Sequence, residues 1–449
     1  MMKEHTFAWI ARTLGLTAPG EGVVCGMEID SRKVRSGQLF FALKGKQVDG
    51  HTFLKEVAFK GAVGAVVDRT YHGEDFGLPL FRVDDVAKAL QMLAKREAEE
   101  RRAPIIAVTG SVGKTTTKEF LAHLLQEKFC LMKTPGNFNS QVTTPLCILN
   151  AKANIELFVI EMGMTGPGEI AKLVEMATPQ LSLITRVGAA HVGGFTDGVE
   201  GIAKAKAEIF SHPKTQFGLY NATNAQFKVL NDTGACKKLT FVYEKLSSEP
   251  ADFVLRNQGE KFVIEAEGKR TAPFSLPFQA THLCEDFIAS AAAARLLGME
   301  WEEIFAAAQT LTPFKSRFER VERAGVVFIN DAYNANPVSM RAAFANLPNR
   351  VEKGRRIAVL GAMADLGAES EKYHREIGEE ASKLFDHLLC CTEECLPMVE
   401  IFTKVGLPVE YFPDVQSMRA RLFQLAQPQD VVLIKGRNTA KLWQILEGL

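Results

Sequence analysis

The chain has 449 residues, 47% of them hydrophobic and 24% charged, and its 53 Lys and Arg residues balance 53 Asp and Glu residues. That length exceeds one compact core at ~100–200 residues per domain, so two to four domains are expected, with three as the working division. Zero formal net charge gives no general pull toward nucleic acid or acidic membranes.

No apolar run reaches the ~18 residues of a membrane span, and the start "MMKEHTFAWIARTLGL" lacks the apolar core of a signal peptide, so a cytoplasmic location is expected. Eight cysteines are too sparse for a disulfide scaffold. The cluster "LLCCTEEC" has no histidine or second cysteine pair at zinc spacing, which predicts buried or idle thiols.

In chain order, "GQLFFAL" and "GAVGAVV" are short strand candidates between glycine turns. They belong to a first domain over residues 1–84. "VDDVAKALQMLAKREAEERRAP" then shows helical periodicity through Val86, Leu90, Leu93 and Ala94, closed by Pro104, and reads as the connector into a central domain over 85–313. From "IIAVTG" the pattern alternates apolar runs with amphipathic helices: "LFVIEMG", "LSLITRVG", "GIAKAKAEIF", "FGLYNAT" and "DFIASAAAARLLG". Strands without polar alternation, interleaved with helices, predict a parallel sheet covered on both faces. After "TPFKSRFERVE" a third α/β set, "VVFIND", "RIAVLG", "HLLCC" and "VVLIKG", predicts a C-terminal domain over 314–449.

Between the strand "IIAVT" and the helix "KTTTKEFLAHLLQEKF" lies "GSVGK". Small residues there let backbone N–H groups and the helix N-terminus converge on phosphate oxygens, so Gly110, Ser111, Val112, Gly113 and Thr116 are nucleotide candidates. Lys114 would reach the β and γ phosphates and the Thr115 hydroxyl would hold Mg²⁺. Val108 stands where the longer phosphate-loop pattern has glycine. The shorter form is therefore also open to a structural glycine turn capping a helix.

Ligands in open α/β sheets collect at the carboxyl ends of strands. Glu161 ends "LFVIE" and His191 follows "LSLITRV", so both should face the loop. Taken singly, Glu161 could cap a helix, His191 could be a loop residue, and Lys206 could lie on a solvated face. A carboxylate and an imidazole beside a triphosphate together make a magnesium site credible.

Motifs along essentially the whole chain resemble the Mur ligase family. "EIDSRKVRSGQLFFALKGKQVDGHTF" is similar to its UDP-binding segment, and "TGSVGKTTTKE", "GNFNS", "EMG", "AAHVGGF" and "AKAEIF" to its ATPase domain. "FKSRFERV", "NDAYNANPVSM", "VLGAMADLG" and "VVLIKGR" look like the junction and the C-terminal domain. Within the family, "YNANPVSM" resembles the members that add a D-alanyl-D-alanine dipeptide.

The resemblance implies a three-domain α/β fold: a small UDP-sugar-binding domain, a P-loop parallel-sheet ATPase domain and a Rossmann-like ligase domain. It implies an ATP-dependent ligase of peptidoglycan precursor synthesis that joins D-Ala-D-Ala to UDP-MurNAc-tripeptide through an acyl phosphate. It implies Thr115 and Glu161 on one Mg²⁺, and His191 with a carbamylated Lys206 on a second. Asn137 would meet phosphate and metal, while Arg317 and Asp331 would hold ATP from the C-terminal side. It implies that Lys114, Lys206, His191 and Arg317 carry the chemistry. Ser31, Arg32, Asp49, Gly50 and His51 lie where the UDP-sugar is expected, and Tyr333, Asn334 and Asn336 where substrates meet the third domain. A monomer suffices for three contiguous domains, and neither nucleic acid nor membrane is an expected partner.

The chain departs from the family pattern at three places. "HLCEDF" puts Asp286 where asparagine stands near adenine. "TRVG" has Arg186 where asparagine is common. "KGRNTAKLW" lacks a serine before Arg437, which leaves Arg437 and Lys441 without assigned roles. The competing readings are a sister ligase that adds another amino acid, or a P-loop protein that uses nucleotide as a switch.

Overall fold

A computed structural model describes residues 2–45, 48–190, 192–350 and 354–448. Three main sheets follow one another along the chain. The first has four parallel strands, Met27–Glu28, Leu39–Phe41, Gly64–Asp68 and Leu80–Val83. A two-residue antiparallel pair, His5–Thr6 with Val23–Val24, lies beside it.

The central sheet has nine strands. Seven are parallel, running across the sheet as Leu131–Lys133, Leu157–Glu161, Ile105–Thr109, Leu181–Ile184, Phe217–Asn221, Lys237–Tyr243 and Phe253–Gln258. Beyond them the chain turns back: Lys261–Ala266 and Lys269–Arg270 pair antiparallel at the far edge. The predicted parallel sheet is thus extended by a meander, built on a tight turn at Gly259, whose φ of +75° suits glycine. The third sheet has five parallel strands, Val326–Asn330, Val431–Lys435, Arg356–Leu360, His387–Cys391 and Val409–Phe412, with Glu319–Arg323 antiparallel on one edge.

The strands nearest the phosphate loop, Ile105–Thr109, Leu157–Glu161 and Leu181–Ile184, are buried at every residue, which is why their sequences show no polar alternation. Helix Lys114–Leu125 packs its Phe120, Leu121 and Leu124 on Leu283, Phe287 and Ile288 of helix Thr281–Leu296. The second helix is buried from Leu283 to Ala294, including its polar residues Glu285, Asp286 and Ser290. The first helix, predicted to run on to Phe129, ends at Leu125.

Helix Val86–Arg101 does more than connect. Its apolar face is shared between helix Phe7–Leu14 of the first unit and helix Thr143–Leu149 of the central one. Fully buried Glu97 accepts from Lys3 at 2.8 Å and from Arg101. Asn150 bonds both the N–H and the C=O of Met27 at 2.8 Å, a second tie between the first and central units.

The central and C-terminal units meet backbone to backbone. A Cβ on Gly193, in the turn Val192–Gly194, would stand 3.1 Å from Cα and N of Gly367. Any side chain there requires the facing backbone at Gly367 to give way, more so the larger it is. Gly193→Val is expected to enlarge the radius of gyration in small-angle scattering and to lower turnover by up to roughly 10²-fold, as displacements of about 1 Å can. Unchanged dimensions together with full activity would refute this.

Candidate functional site

At the carboxyl ends of the central strands lies a cavity of about 730 Å³, within the usual small-molecule range of ~300–1,000 Å³. Its wall combines the phosphate loop with Glu161, Lys206, Asp286, Arg317, Asp331 and Tyr333. Central and C-terminal units both contribute to it.

The loop is glycine for steric reasons. A Cβ on Gly110 would approach Thr185 Oγ1 to 1.8 Å, and one on Gly113, whose φ is +86°, would approach Asp286 Oδ1 to 2.3 Å. Gly113 also caps helix Lys114–Leu125 without any side-chain bond to the helix end. The first-turn N–H groups thus have no side-chain cap at the end that attracts anions. Ser111 fixes the loop from the other side: its Oγ donates to Gly188 O at 2.8 Å and accepts from Gly188 N at 3.0 Å. Val112 forms an isolated bridge with Arg186, and Thr116 is buried at the cavity wall.

Two lysines converge on one carbonyl: Gly110 O accepts from Lys114 Nζ at 2.8 Å and from Lys206 Nζ at 2.9 Å. Burial lowers the pKa of Lys114, partly offset by Glu161. Lys206, only 2% exposed, is held well below the usual lysine range by burial and by the charge of Lys114. Two buried amines at a helix N-terminus, only Lys114 of them offset by a carboxylate, make an environment suited to a polyanion.

Glu161 is buried and fully oriented. Its Oε2 accepts from Thr115 Oγ1 at 2.9 Å, its Oε1 accepts from Asn139 Nδ2 at 2.8 Å, and its N–H donates to Thr134 Oγ1 at 3.0 Å. Arg317 reaches across from the C-terminal unit: Nη2 donates to Thr115 Oγ1 at 2.9 Å while the guanidinium lies 4.1 Å from the Tyr333 ring centroid. Thr115 and Glu161 present hard oxygen donors side by side, which fits the chemistry Mg²⁺ prefers. Lys206 offers nitrogen and fits such an ion only if converted to an oxygen ligand. His191 lies outside the described residues.

Other expected residues are placed as follows. Asn137 is exposed on the cavity rim, and it is its neighbour Asn139 that touches Glu161. Asp331 spends both oxygens within its own unit, Oδ2 on Lys435 Nζ at 2.5 Å and Oδ1 on Phe318 N at 3.1 Å. Asn336 is the N-cap of helix Pro337–Ala345, accepting from Ser339 N at 2.9 Å, and its Nδ2 lies 3.5 Å from Ser111 O. Tyr333 and Asn334 line the cavity directly. Arg437 also lines it, paired with Glu394 at 2.9 Å, whereas Lys441 is exposed in a left-handed turn outside it. His282 faces the same wall; its Nδ1 is sealed without a partner, and burial lowers it to about 4.

Of the departures, Arg186 pairs with Glu285, the neighbour of Asp286, and not with Asp286 itself. Arg186 Nη2 donates to Glu285 Oε1 at 2.8 Å, and Asn221 donates to the same oxygen at 2.6 Å. Asp286 sits behind the loop, accepting from Thr117 Oγ1 at 3.2 Å.

In the first unit, Ser31 and Gly50 are buried, and a Cβ on Gly50 would strike the Leu43 backbone at 2.7 Å. Arg32 forks onto Asp30 with two bonds of 2.8 Å and holds that carboxyl down to about 2. His51 is spoken for at both nitrogens: Nε2 accepts from Asp68 N at 2.9 Å, so Nδ1 carries the proton toward Asp49 at 2.6 Å. It braces the loop as much as it could meet a ligand. Among the described residues, these five line no part of the cavity at the phosphate loop.

Sequence reasoning missed Lys118. Fully buried, it donates to Thr134 O at 2.7 Å and Gly136 O at 2.8 Å, with Glu161 Oε2 at 3.7 Å. It stands one helical turn after Lys114, a spacing that could have flagged it. Lys118→Met would orphan two carbonyls and loosen the segment carrying Asn137 and Asn139. We expect a stability loss of ~1–3 kcal/mol with reduced turnover, read by denaturant melts and phosphate release. Wild-type values in both would refute it.

The predicted idle thiols are consistent with what the structure holds: Cys390, Cys391 and Cys395 are buried, and burial pushes Cys391 up to about 11 and Cys395 up to about 12. No helix among the described residues is long and apolar enough to cross a membrane.

Fold and site together define a P-loop α/β protein whose phosphate loop is completed by a side chain from a following α/β unit. Three family models match consecutive parts of the chain: "Mur ligase family, catalytic domain" over residues 23–98, "Mur ligase middle domain" over 108–294, and "Mur ligase, glutamate ligase domain" over 316–438. A UDP-N-acetylmuramoyl-tripeptide–D-alanyl-D-alanine ligase from Synechocystis sp. is 32% identical over 94% of this chain and 90% of its own. One of the same name from Bacillus subtilis is 31% identical over 95% and 93%. Among solved structures, MurF from Acinetobacter baumannii superimposes with a TM-score of 0.86 at 27% identity, covering 99% of this chain and 98% of that one. The MurF ligase from Thermotoga maritima, in complex with ADP, gives 0.79 at 28% identity, covering 94% and 96%. The chain belongs to the Mur ligase family.

Proposed function

We propose that this chain is an ATP-dependent amide-bond ligase that joins D-alanyl-D-alanine to UDP-MurNAc-tripeptide, giving UDP-MurNAc-pentapeptide, ADP and phosphate. The observation that carries the reading is the convergence of Lys114, Lys206, Glu161 and Arg317 on one phosphate loop, inside a cavity walled by two units. The names of the relatives supply the substrates.

A carboxylate resists attack by an amine because its anion repels nucleophiles and lacks a leaving group. Transfer of the γ-phosphoryl of ATP onto the terminal carboxylate of the tripeptide removes both obstacles. The dipeptide amine then attacks the carbonyl, and phosphate leaves. Lys114 and Arg317 stabilise charge on the transferring phosphoryl group, where such enzymes gain most of their rate. Thr115 and Glu161 would hold Mg²⁺, which when bound neutralises phosphate charge. Lys206, converted to a carbamate, would hold a second ion together with His191. Burial favours the uncharged amine, the form that attacks CO₂, and the carbamate turns a repelled cation into an oxygen ligand.

Asn137, Asp286 and Asp331 line or support the ATP half of the cavity. Tyr333, Asn334 and Asn336 border the acceptor half, and Ser31, Arg32, Asp49, Gly50 and His51 mark the UDP end. The three sheets act as three domains divided near residues 84 and 313, in a cytoplasmic monomer.

The test is phosphate release against a panel of UDP-muramyl peptides and amines. Release should require both UDP-MurNAc-tripeptide and D-Ala-D-Ala, and ¹⁸O from the tripeptide carboxylate should appear in phosphate. Release that ignores the dipeptide, or phosphate without label, would sink the reading.

A further inference from the structure

Helix Thr281–Leu296 presses Asp286 against the back of the phosphate loop, where the residue is 6% exposed. Its Oδ1 accepts from Thr117 Oγ1 at 3.2 Å and occupies the space a Cβ on Gly113 would need. The same helix grips Thr117 a second time, since Ser290 Oγ donates to Thr117 O at 3.0 Å. The two cations that act most on Asp286 among the described residues are committed elsewhere, Arg186 to Glu285 and Arg317 to Thr115. Adjacent Glu285 adds negative charge. An ionised carboxylate here would stand unpaired, immediately behind a loop built to receive a polyanion.

From this placement we infer that Asp286 is a positioning residue that seats the phosphate loop as an uncharged carboxylic acid, holding Thr117 and filling the space behind Gly113. Burial and Glu285 push its ionisation well above the ordinary carboxylate range, against weaker opposing effects of Thr117, Arg317 and Arg186. An amide of the same shape does the same work without a charge, so Asp286→Asn should be tolerated. Alanine removes both the hydroxyl partner and the filling. The inference rests on reading the loop as the ATP phosphate site.

The full-length protein and its D286N and D286A variants would be compared for ADP binding by calorimetry at neutral pH. The infrared difference between wild type and D286N would report a protonated-carboxyl C=O stretch. We expect that stretch in the wild type and its absence from D286N. D286N should bind ADP within about twofold of wild type, and D286A about tenfold more weakly, the loss of about one net hydrogen bond. No protonated-carboxyl band, or ADP binding by D286N as weak as by D286A with the fold intact in circular dichroism, overturns the role. If D286A does not fold, the band and the D286N affinity decide alone. Wild type that fails to bind ADP at all would overturn the nucleotide reading and this inference with it, whereas the other outcomes strike only Asp286.

Discussion

Lys206→Ala is expected to lower ligation by roughly 10²–10³-fold or more while leaving the fold intact, because it removes a group only from the reacting centre. The side chain is 2% exposed and its single described partner is the Gly110 carbonyl, which keeps Lys114 as a second donor. Its loss opens space where the buried stem lay but leaves no buried carbonyl orphaned. The same reasoning separates the carbamate from a plain amine. Protein held in bicarbonate-free buffer should lose activity and recover it when ¹³CO₂ is supplied, with a carbamate carbon visible by NMR. Near-normal turnover of Lys206→Ala in such buffer would contradict the assignment.

Lys435→Met is expected to be the most damaging of these changes to stability, by ~3–5 kcal/mol. Lys435 is 1% exposed and donates to Asp331 Oδ2 at 2.5 Å and to Asn334 O at 3.1 Å. Methionine matches its volume, so the cost is electrostatic: the Asp331 carboxylate, still held by Phe318 N, is left without its cation at the base of the cavity. The segment from Asp331 to Asn336 should loosen with it, weakening nucleotide binding as well as the fold. Equilibrium denaturation checks the first effect and calorimetric titration with ADP the second. A loss below about 1 kcal/mol would show that the pair contributes little.

Much of the frame was legible along the chain. The buried strands Ile105–Thr109, Leu157–Glu161 and Leu181–Ile184 appear as unbroken apolar runs because both sheet faces are covered. Glu161 could be placed from its position at a strand end, and Lys114 from its position after a glycine turn. The antiparallel meander at the far edge went unread, although "NQGE" marks its first turn. The motif pointed to Asn137 alone; that Asn139 turns its amide toward Glu161 went unread, since two residues of loop carry no information about which one does.

What the sequence by itself determined was local: a phosphate loop between a buried strand and a helix, with acid and amine groups at strand ends. These follow from backbone geometry and the period of apolar residues, which act over a few positions. The tertiary structure alone decided which charges answer one another. Arg186 finds Glu285 across 99 residues and Arg317 finds Thr115 across 202, leaving Asp286 bonded to the Thr117 hydroxyl. Pairing of that kind depends on distance and burial in space, because Coulomb energy and desolvation act between neighbours the chain order does not name.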